Sequence, residues 1–451
     1  MRTRLLSHAW IAVLVAFRAA SAAAPAGGAL LDPALPGVQF VTLLDKGDFA
    51  AAEAMFDATM KAALPEDKLR ATWQGVLQQV GPFQKQLRTR VTDQAGYKIV
   101  LVTCQFEKAA LDARVVVDTQ GRIAGLFFAP TPVDAGTFKT PSYAKADEMV
   151  EKEFTVGAGE WVLPGTLTLP KGAKDRVPAV VLVHGSGPND RDETIGANKP
   201  FRDLAWGLAA QGIAVVRYEK RTRHYASKLA GSLAGFTVKQ EAVDDALAAA
   251  AQLRTTDGID AKRVFILGHS LGAVVAPRLG EADPQLAGLI LMSGTPRPLE
   301  DVMAEQIRYL TTLGGALSKD DQAKVDALLA EIAKVKKLTA ADAASSALIC
   351  NAPPSYWLDL RDHDPLAITK TLKMPLLILQ GGRDYQATAD DFALWKDGLG
   401  ALPNVTLKLY PDLNHLFQTG KGKSKPAEYD VPGNVDPEVI ADIAGWITKR
   451  K

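Results

Sequence analysis

A serine flanked by glycines, in the segment GHSLG at residues 268–272, is the part of this sequence with the clearest capacity for chemistry. The apolar run RVFIL before it predicts a strand, and the residues from 271 to 279 after it predict a helix. A serine on so sharp a strand-to-helix turn presents its hydroxyl at the edge of a sheet, and only small neighbours let the turn close. We therefore predict Ser270 as a nucleophile, the alternative being a serine that only caps the helix.

Serine becomes an effective nucleophile only when a base takes its proton, and the chain offers six histidines for that role. His415 follows the last predicted strand, which is where the chain order serine, acid, histidine places the base, so we predict it as the general base. His269 adjoins the nucleophile and is expected to point elsewhere, while His184 is expected to anchor a loop. The other three lie in the N-terminal leader, a basic loop and a helical insertion, at His8, His224 and His363.

An acidic partner for this histidine is expected on a loop after another strand at the same edge of the sheet. The run PLLILQ predicts that strand, and the two glycines that follow it let the chain turn and present Asp384. Its carboxylate would fix the tautomer of His415 and stabilise the imidazolium that forms. Asp412 and Asp364 are the alternatives, and a turn-forming role for Asp384 is a third.

Attack on a carbonyl group also produces an oxyanion, which needs two N–H donors. The backbone N–H of Leu271, directly after the nucleophile, is the predicted first donor. The turn HGSGP at residues 184–188 follows the first long apolar strand, and we predict the N–H of Ser186 as the second donor, with Gly187 as its rival. The alternative is that this turn only connects a strand to a helix.

These residues need a scaffold that brings strand ends together, and the rest of the chain predicts one. From residue 154 to 451 short apolar strands alternate with helices, which predicts an α/β fold with a mainly parallel sheet covered on both faces. Residues 297–371 have helical patterns and no clear strand, so they are predicted to form a helical cap inserted into this domain. Helices followed by alternating strands predict a small α+β domain at 38–130, and prolines mark a linker at 131–153.

Two large side chains lie next to each other in the predicted cap. Tyr356 and Trp357 are candidates for the wall of an acyl pocket, because a cap over the strand ends would enclose a bound substrate. Ordinary packing within the cap is the alternative for both residues.

Composition and the N-terminus bear on partners and location. The chain has 52 basic and 51 acidic residues and no basic stripe, which argues against a nucleic-acid partner. Residues 1–24 have the order of a secretory signal peptide, with two arginines, the apolar run AWIAVLVAF and then small residues. That run is too short for a permanent membrane span, so we expect a periplasmic or secreted protein without stable membrane insertion. The two cysteines, Cys104 and Cys350, are expected as free thiols, although one disulfide is left open.

Five segments of the chain resemble the α/β-hydrolase superfamily, and more narrowly bacterial exported esterases that carry a small N-terminal α+β domain. They are the long stretch from HGSGPNDRD to VVRYEKR, then GHSLG, LQGGRDYQ, NHLF and VDPEVIADIAGWI. The resemblance implies the α/β-hydrolase fold and carboxylic-ester hydrolysis through an acyl-enzyme. The family's serine, acid and histidine fall on Ser270, Asp384 and His415. The N-terminal domain resembles, more loosely, the cone-shaped α+β folds related to nuclear transport factor 2.

Three functions remain open at this point. The first is an esterase for a small-molecule ester, and the second is an amidase or peptidase, because the same three residues serve both reactions. The third is a binding protein on a hydrolase scaffold, against which the intact set of residues argues. No metal and no organic cofactor are expected, and the sequence leaves the oligomeric state open.

Overall fold

The computed structural model describes residues 34–94, 97–131, 138–230 and 233–450, so the predicted signal peptide at 1–24 lies outside the described residues. The chain divides into two compact units, and the division falls between residues 133 and 134.

The first unit is an antiparallel four-stranded sheet in the order β1-β2-β3-β4, with helices that precede it in the chain. Aromatic side chains from both layers, among them Phe40, Trp73 and Phe106, are buried in one apolar core. Cys104 lies in that core as a free thiol, and burial raises its pKa to about 12. The elements are α1 (Leu35–Lys46), α2 (Phe49–Ala54), α3 (Ala58–Ala63), α4 (Glu66–Val80), β1 (Phe83–Gln94), β2 (Tyr97–Phe106), β3 (Ala110–Val117) and β4 (Ile123–Pro130).

The second unit is built on an eight-stranded sheet in the order β12-β11-β10-β9-β7-β8-β6-β5. The strands from β7 to β12 pair in parallel, and β6 and β5 add two antiparallel strands at one edge. The predicted α/β fold with a mainly parallel sheet is therefore confirmed. The strands are β5 (Met149–Val156), β6 (Leu163–Pro170), β7 (Val177–Val183), β8 (Ala214–Tyr218), β9 (Ile259–His269), β10 (Gly288–Met292), β11 (Leu376–Gly381) and β12 (Val405–Tyr410).

Helices cover both faces of this sheet. Successive residues of a strand point to opposite faces. In β7, Val181 belongs to the apolar core on one face and Val180 to the core on the other. The helices are α5 (Pro200–Ala210), α6 (Arg221–His224), α7 (Ala226–Ala230), α8 (Asp244–Arg254), α9 (Leu271–Ala282), α10 (Leu299–Thr312), α11 (Lys319–Val335), α12 (Pro354–Arg361), α13 (Pro365–Thr371), α14 (Ala389–Leu399) and α15 (Pro437–Thr448).

The segment predicted as a cap, 297–371, contains α10 to α13 and no named strand. It leaves the sheet after β10 and returns to it at β11, so it interrupts the alternation of strands and helices where the sequence predicted.

The predicted linker at 131–153 is wrong at its C-terminal end. Strand β5 begins at Met149 and pairs antiparallel with β6, so the eight-stranded sheet starts before residue 154. Its central residues, Glu151, Lys152 and Glu153, are exposed at the sheet edge. A polar edge strand of this kind has no continuous apolar run, which is why the sequence pattern did not reveal it.

Candidate active site

The end of strand β9 and the start of helix α9 form a sharp turn at Ser270. Ser270 has a backbone φ of 55°, in the left-handed region that side chains with a Cβ rarely adopt. Its N–H donates to the carbonyl oxygen of Met292 at 2.9 Å, which ties the turn to the end of the neighbouring strand β10. Strain of this type persists only where the surrounding structure holds it in place, and it is common at functional sites.

The two glycines of the GHSLG segment are required by the same turn. A Cβ on Gly268 would collide with the backbone of Gly272, and a Cβ on Gly272 would collide with the carbonyl group of Val183. The backbone of β9, the first turn of α9 and the end of β7 therefore approach one another more closely than side chains would allow. This packing holds Ser270 beside the turn that follows β7.

His415 and Asp384 contact each other directly. The Nδ1 atom of His415 lies 2.7 Å from Oδ2 of Asp384, and both side chains are almost fully buried. Asp384 is presented by the loop after β11, and His415 lies on the loop after β12, which pairs with β11. The structure thus brings together the predicted base and the predicted acid.

Three further hydrogen bonds hold the Asp384 carboxylate in place. Its Oδ1 accepts from the N–H groups of Gln386 and Ala387, and its Oδ2 accepts from the side-chain amide of Gln380 at 3.2 Å. Asp412, the alternative acid, is exposed at the surface and has no side-chain contact with His415 among the described residues.

The two groups that would exchange a proton, the Ser270 hydroxyl and the imidazole of His415, are free of other hydrogen bonds at the reacting atoms among the described residues. Neither the hydroxyl of Ser270 nor Nε2 of His415 has a hydrogen-bond partner within the described parts of the chain. The imidazole of His269, the residue before Ser270, lies with its centroid 4.7 Å from the centroid of the His415 ring. The predicted base is therefore next to the serine turn, and its Nε2 has no partner within the described residues.

His269 itself is held between two hydrogen-bond acceptors. Its Nδ1 lies 2.8 Å from a carboxylate oxygen of Glu193, and its Nε2 lies 2.9 Å from the carbonyl oxygen of His415. A carbonyl oxygen and an ionised carboxylate both accept, so this pairing favours the form of His269 that carries a proton on both ring nitrogens, the imidazolium. Burial alone would lower the pKa of His269, but the Glu193 carboxylate outweighs it and the pKa is raised.

The HGSGP turn lies against the serine. A Cβ added to Gly185 would stand 3.1 Å from Cβ of Ser270. Ser186, the predicted second oxyanion donor, is exposed, and its N–H has no acceptor among the described residues. Leu271 opens helix α9, where the first N–H groups have no acceptor within the helix. Both predicted donors are therefore available to a ligand.

Two comparisons with known proteins show the family of this chain. A family model described as "Serine aminopeptidase, S33" matches residues 173–421, which is more than half of the chain. Esterase EstD of Thermotoga maritima is 38% identical over 410 residues, an alignment that covers 91% of this chain and 94% of the relative. The chain belongs to the serine hydrolases of the α/β-hydrolase superfamily.

The hydrolase has further likenesses. Residues 38–126 match a family model described as a protein of unknown function (DUF3887). Est1E from Butyrivibrio proteoclasticus is 13% identical, with a TM-score of 0.43 and coverage of 66% of this chain and 98% of that chain. The acylaminoacyl peptidase of Pyrococcus horikoshii is 14% identical, with a TM-score of 0.46 and coverage of 81% of this chain and 56% of that chain.

The two predicted pocket residues of the hydrolase lie in helix α12 and are both buried. The hydroxyl of Tyr356 donates to Glu241 at 2.7 Å, and its ring belongs to the core on one face of the sheet. The indole N–H of Trp357 donates to the carbonyl oxygen of Ile349 at 2.7 Å, within the cap segment. The polar atoms of both side chains are thus bound to the protein itself, and their role toward an acyl group stays a prediction.

The sequence predicts the charge-rich segments 189–193 and 217–221 mainly as an ion-paired rim beside the HGSGP turn, and it did not reveal the contacts of Glu193 and Lys220 with Gly185. Glu193 and Lys220 both lie among other charged residues, in NDRDET and RYEKRTR, so the sequence carried no signal that these two would be buried. His269 was expected to point away from Ser270, and its ring nitrogens pair with Glu193 and with the His415 carbonyl oxygen.

Among the described residues no cluster of histidine, cysteine, aspartate and glutamate could hold a metal ion. Within the same part of the chain no helix combines the length and apolarity that crossing a bilayer requires.

Proposed function

We propose that this hydrolase cleaves carboxylic esters through a Ser270–His415–Asp384 triad and an acyl-enzyme. The observation that carries the proposal is the 2.7 Å contact between Asp384 and Nδ1 of His415, which leaves Nε2 free beside the strained serine turn. The name and 38% identity of the esterase EstD support an ester as the substrate.

The proposed reaction has two matched halves. His415 Nε2 takes the hydroxyl proton of Ser270 as Oγ attacks the ester carbonyl carbon, and the backbone N–H groups of Leu271 and Ser186 stabilise the oxyanion. The tetrahedral intermediate collapses, and His415 returns the proton to the departing alcohol. Water then attacks the acyl-enzyme with His415 again as base, and the carboxylic acid leaves as Ser270 recovers its proton. Asp384 holds the imidazole in the required tautomer throughout.

A fluorophosphonate probe and a p-nitrophenyl ester test this proposal on the purified protein. We expect the probe to label the wild-type chain at Ser270, and Ser270→Ala to abolish labelling and to lower ester turnover by about 10⁴-fold or more. Ser346→Ala is the matched control, because Ser346 is an exposed serine of the cap segment. Normal turnover in a folded Ser270→Ala protein would refute the assignment.

The amidase or peptidase alternative is tested in the same preparation. The family model that matches the chain is described as a serine aminopeptidase, so the comparison must include amides. We expect a far higher kcat/KM for p-nitrophenyl butyrate than for aminoacyl p-nitroanilides. A preference for the anilides would overturn the ester proposal and leave the triad proposal intact.

We also propose that the enzyme works outside the cytoplasm after removal of about its first 22 residues. The proposal rests on the charged, apolar and small-residue order of residues 1–24. N-terminal sequencing of the protein from its native host is the test. An intact Met1 in the cytosolic fraction would refute it.

A further inference from the structure

The peptide group between Gly185 and Ser186 is held by a buried lysine. The amino group of Lys220 lies 2.7 Å from the carbonyl oxygen of Gly185. In a planar trans peptide the C=O and the following N–H point in opposite directions. Whatever fixes the Gly185 carbonyl therefore also fixes the direction of the Ser186 N–H.

We infer that Lys220 is a positioning residue of the oxyanion hole, which it orients through the Gly185–Ser186 peptide. This inference rests on the proposed function, in which the Ser186 N–H stabilises the oxyanion. Lys220 itself is buried and its amino group contacts the Gly185 carbonyl, so it would act through the turn rather than touch the substrate.

The burial of Lys220 shows that its contacts are specific. Only 2% of its surface is exposed, and a buried amino group is costly unless it is paired and hydrogen-bonded. Its charged partner is Glu241, whose Oε1 lies 3.3 Å from Nζ. Its own backbone N–H donates to the carbonyl oxygen of Asn189 at 3.1 Å. The side-chain amide of Asn189 also donates to the Gly185 carbonyl, at 3.1 Å. Lys220 therefore holds this carbonyl directly through its amino group and indirectly through its backbone contact with Asn189.

Glu241 connects Lys220 to the cap segment. Its carboxylate accepts from the hydroxyl of Thr222 at 2.8 Å and from the hydroxyl of Tyr356 at 2.7 Å. Glu241 lies in a π-helical turn, Lys239–Val243, a distortion that is frequently found at functional sites. Tyr356 of α12 is therefore linked through Glu241 and Lys220 to the turn that carries Ser186.

A second buried charged residue, Glu193, binds the N–H group of Gly185. The N–H of Gly185 donates to Oε1 of Glu193 at 2.6 Å, and the other oxygen of that carboxylate pairs with His269. Gly185 is thus fixed at its N–H by an anion and at its carbonyl by a cation. No room remains for the turn to rotate without breaking one of these contacts, which is the preorganisation that oxyanion stabilisation requires.

Lys220→Met tests the inference in the full-length chain, because methionine keeps most of the length of the side chain and removes the donor. Lys408→Met is the matched control, since Lys408 forms ion pairs on the surface of the same unit. A Lys220→Met/Glu241→Gln double variant removes the unpaired carboxylate that could otherwise unfold the single variant. Two quantities are measured: steady-state kinetics with a p-nitrophenyl ester, and hydrogen exchange of a peptide covering residues 184–190 in the free enzyme.

We expect kcat to fall about 10- to 100-fold in both Lys220 variants, KM to stay within about twofold, and exchange at 184–190 to rise. The reason is that oxyanion donors act in the transition state and contribute little to ground-state binding. Tyr356→Phe should give the same pattern with a smaller loss. Unchanged kcat in the folded double variant, or a loss confined to KM, would overturn the inference.

The exchange measurement separates this inference from the proposed function. If Ser270→Ala kept full turnover, the proposed function would fail, yet exchange at 184–190 would still report whether Lys220 holds the turn. Exchange that is unchanged in both Lys220 variants would overturn the inference whatever the chemistry of the enzyme.

Discussion

The Nε2 atom of His269 lies 2.9 Å from the carbonyl oxygen of His415, so the residue before the proposed nucleophile is hydrogen-bonded to the backbone of the proposed base. The other ring nitrogen of His269 is paired with Glu193, which in turn binds the N–H of Gly185. One buried imidazolium thus joins the serine turn, the histidine loop and the HGSGP turn.

This imidazolium predicts a dependence of stability on pH. The pKa of His269 is raised above its usual 6.5, so the folded state holds this proton more tightly than the unfolded chain does. The stabilisation is therefore complete below about pH 6.5 and is lost as pH rises through the folded-state pKa. The pKa of Glu193 is lowered from 4.5: burial alone would raise it, and His269 outweighs burial. Its contribution is present above about pH 4.5 and is lost as pH falls through its folded-state pKa.

Urea unfolding of the wild type and of a His269→Gln/Glu193→Gln double variant between pH 6 and 9 measures the effect. We expect the wild type to lose more unfolding free energy than the double variant over this range, because the variant has no proton to release at this position. The double variant avoids the penalty of about 3–5 kcal/mol that a single unpaired buried charge would bring. Parallel pH profiles for the two proteins would contradict a charged His269.

Asp384→Asn is expected to lower kcat by about 10³- to 10⁴-fold, because an amide favours the wrong tautomer of His415. Asp412→Asn is the matched control, since Asp412 is exposed and lies close to His415 in the sequence. It should keep nearly normal turnover with p-nitrophenyl esters. Equal losses in the two variants would show that Asp384 is not the acid.

Gly272→Ala is expected to destabilise the fold by about 1–3 kcal/mol or more, because the new methyl group would overlap the Val183 carbonyl. Gly445→Ala in α15 is the control, because nothing lies within 4 Å of its added Cβ. Alanine is the better helix former, so that variant should gain up to about 1 kcal/mol. Thermal and urea unfolding compare the two, and a stable Gly272→Ala protein would mean that the close approach of these backbones is not required.

Trp357→Ala tests the cap as the wall of an acyl pocket. We expect it to move the preferred acyl chain of p-nitrophenyl esters upward and to change the rate ratio of short to long esters roughly tenfold, the value of about one methylene in such a pocket. Tyr356→Phe removes only a hydroxyl that is bound to Glu241, so it should leave that ratio unchanged. The same ratio in Trp357→Ala and the wild type would assign the indole to cap packing alone.

The sequence was informative wherever chemistry depends on chain order and on strand ends. Ser270, Asp384 and His415 each follow an apolar strand, and parallel strands end at one edge of a sheet, so their convergence could be anticipated. The sequence did not predict contacts between side chains that are far apart in the chain. Glu193 and His269 are separated by 76 positions, and no local pattern reports which carboxylate a buried histidine will meet.

The same distinction explains the missed strand. The central residues of β5, at 151–153, are charged and exposed, and the place of the strand in the sheet is set by its pairing with β6, which periodicity does not encode. Lys220 is a parallel case, because a lysine within a basic run is normally solvated. Its burial follows from Glu241 and the Gly185 carbonyl, which lie on two other segments of the chain.

Both cysteines of this chain are free thiols, Cys104 in the core of the first unit and Cys350 half-buried in the second. The architecture therefore has no covalent cross-link that an oxidising compartment would have to supply. A gene that starts after the predicted leader should yield native enzyme in a reducing bacterial cytoplasm, without an oxidant or a disulfide isomerase. On the proposal that the chain is exported, export would decide where it encounters its substrate, while folding would depend only on burial and pairing within the chain.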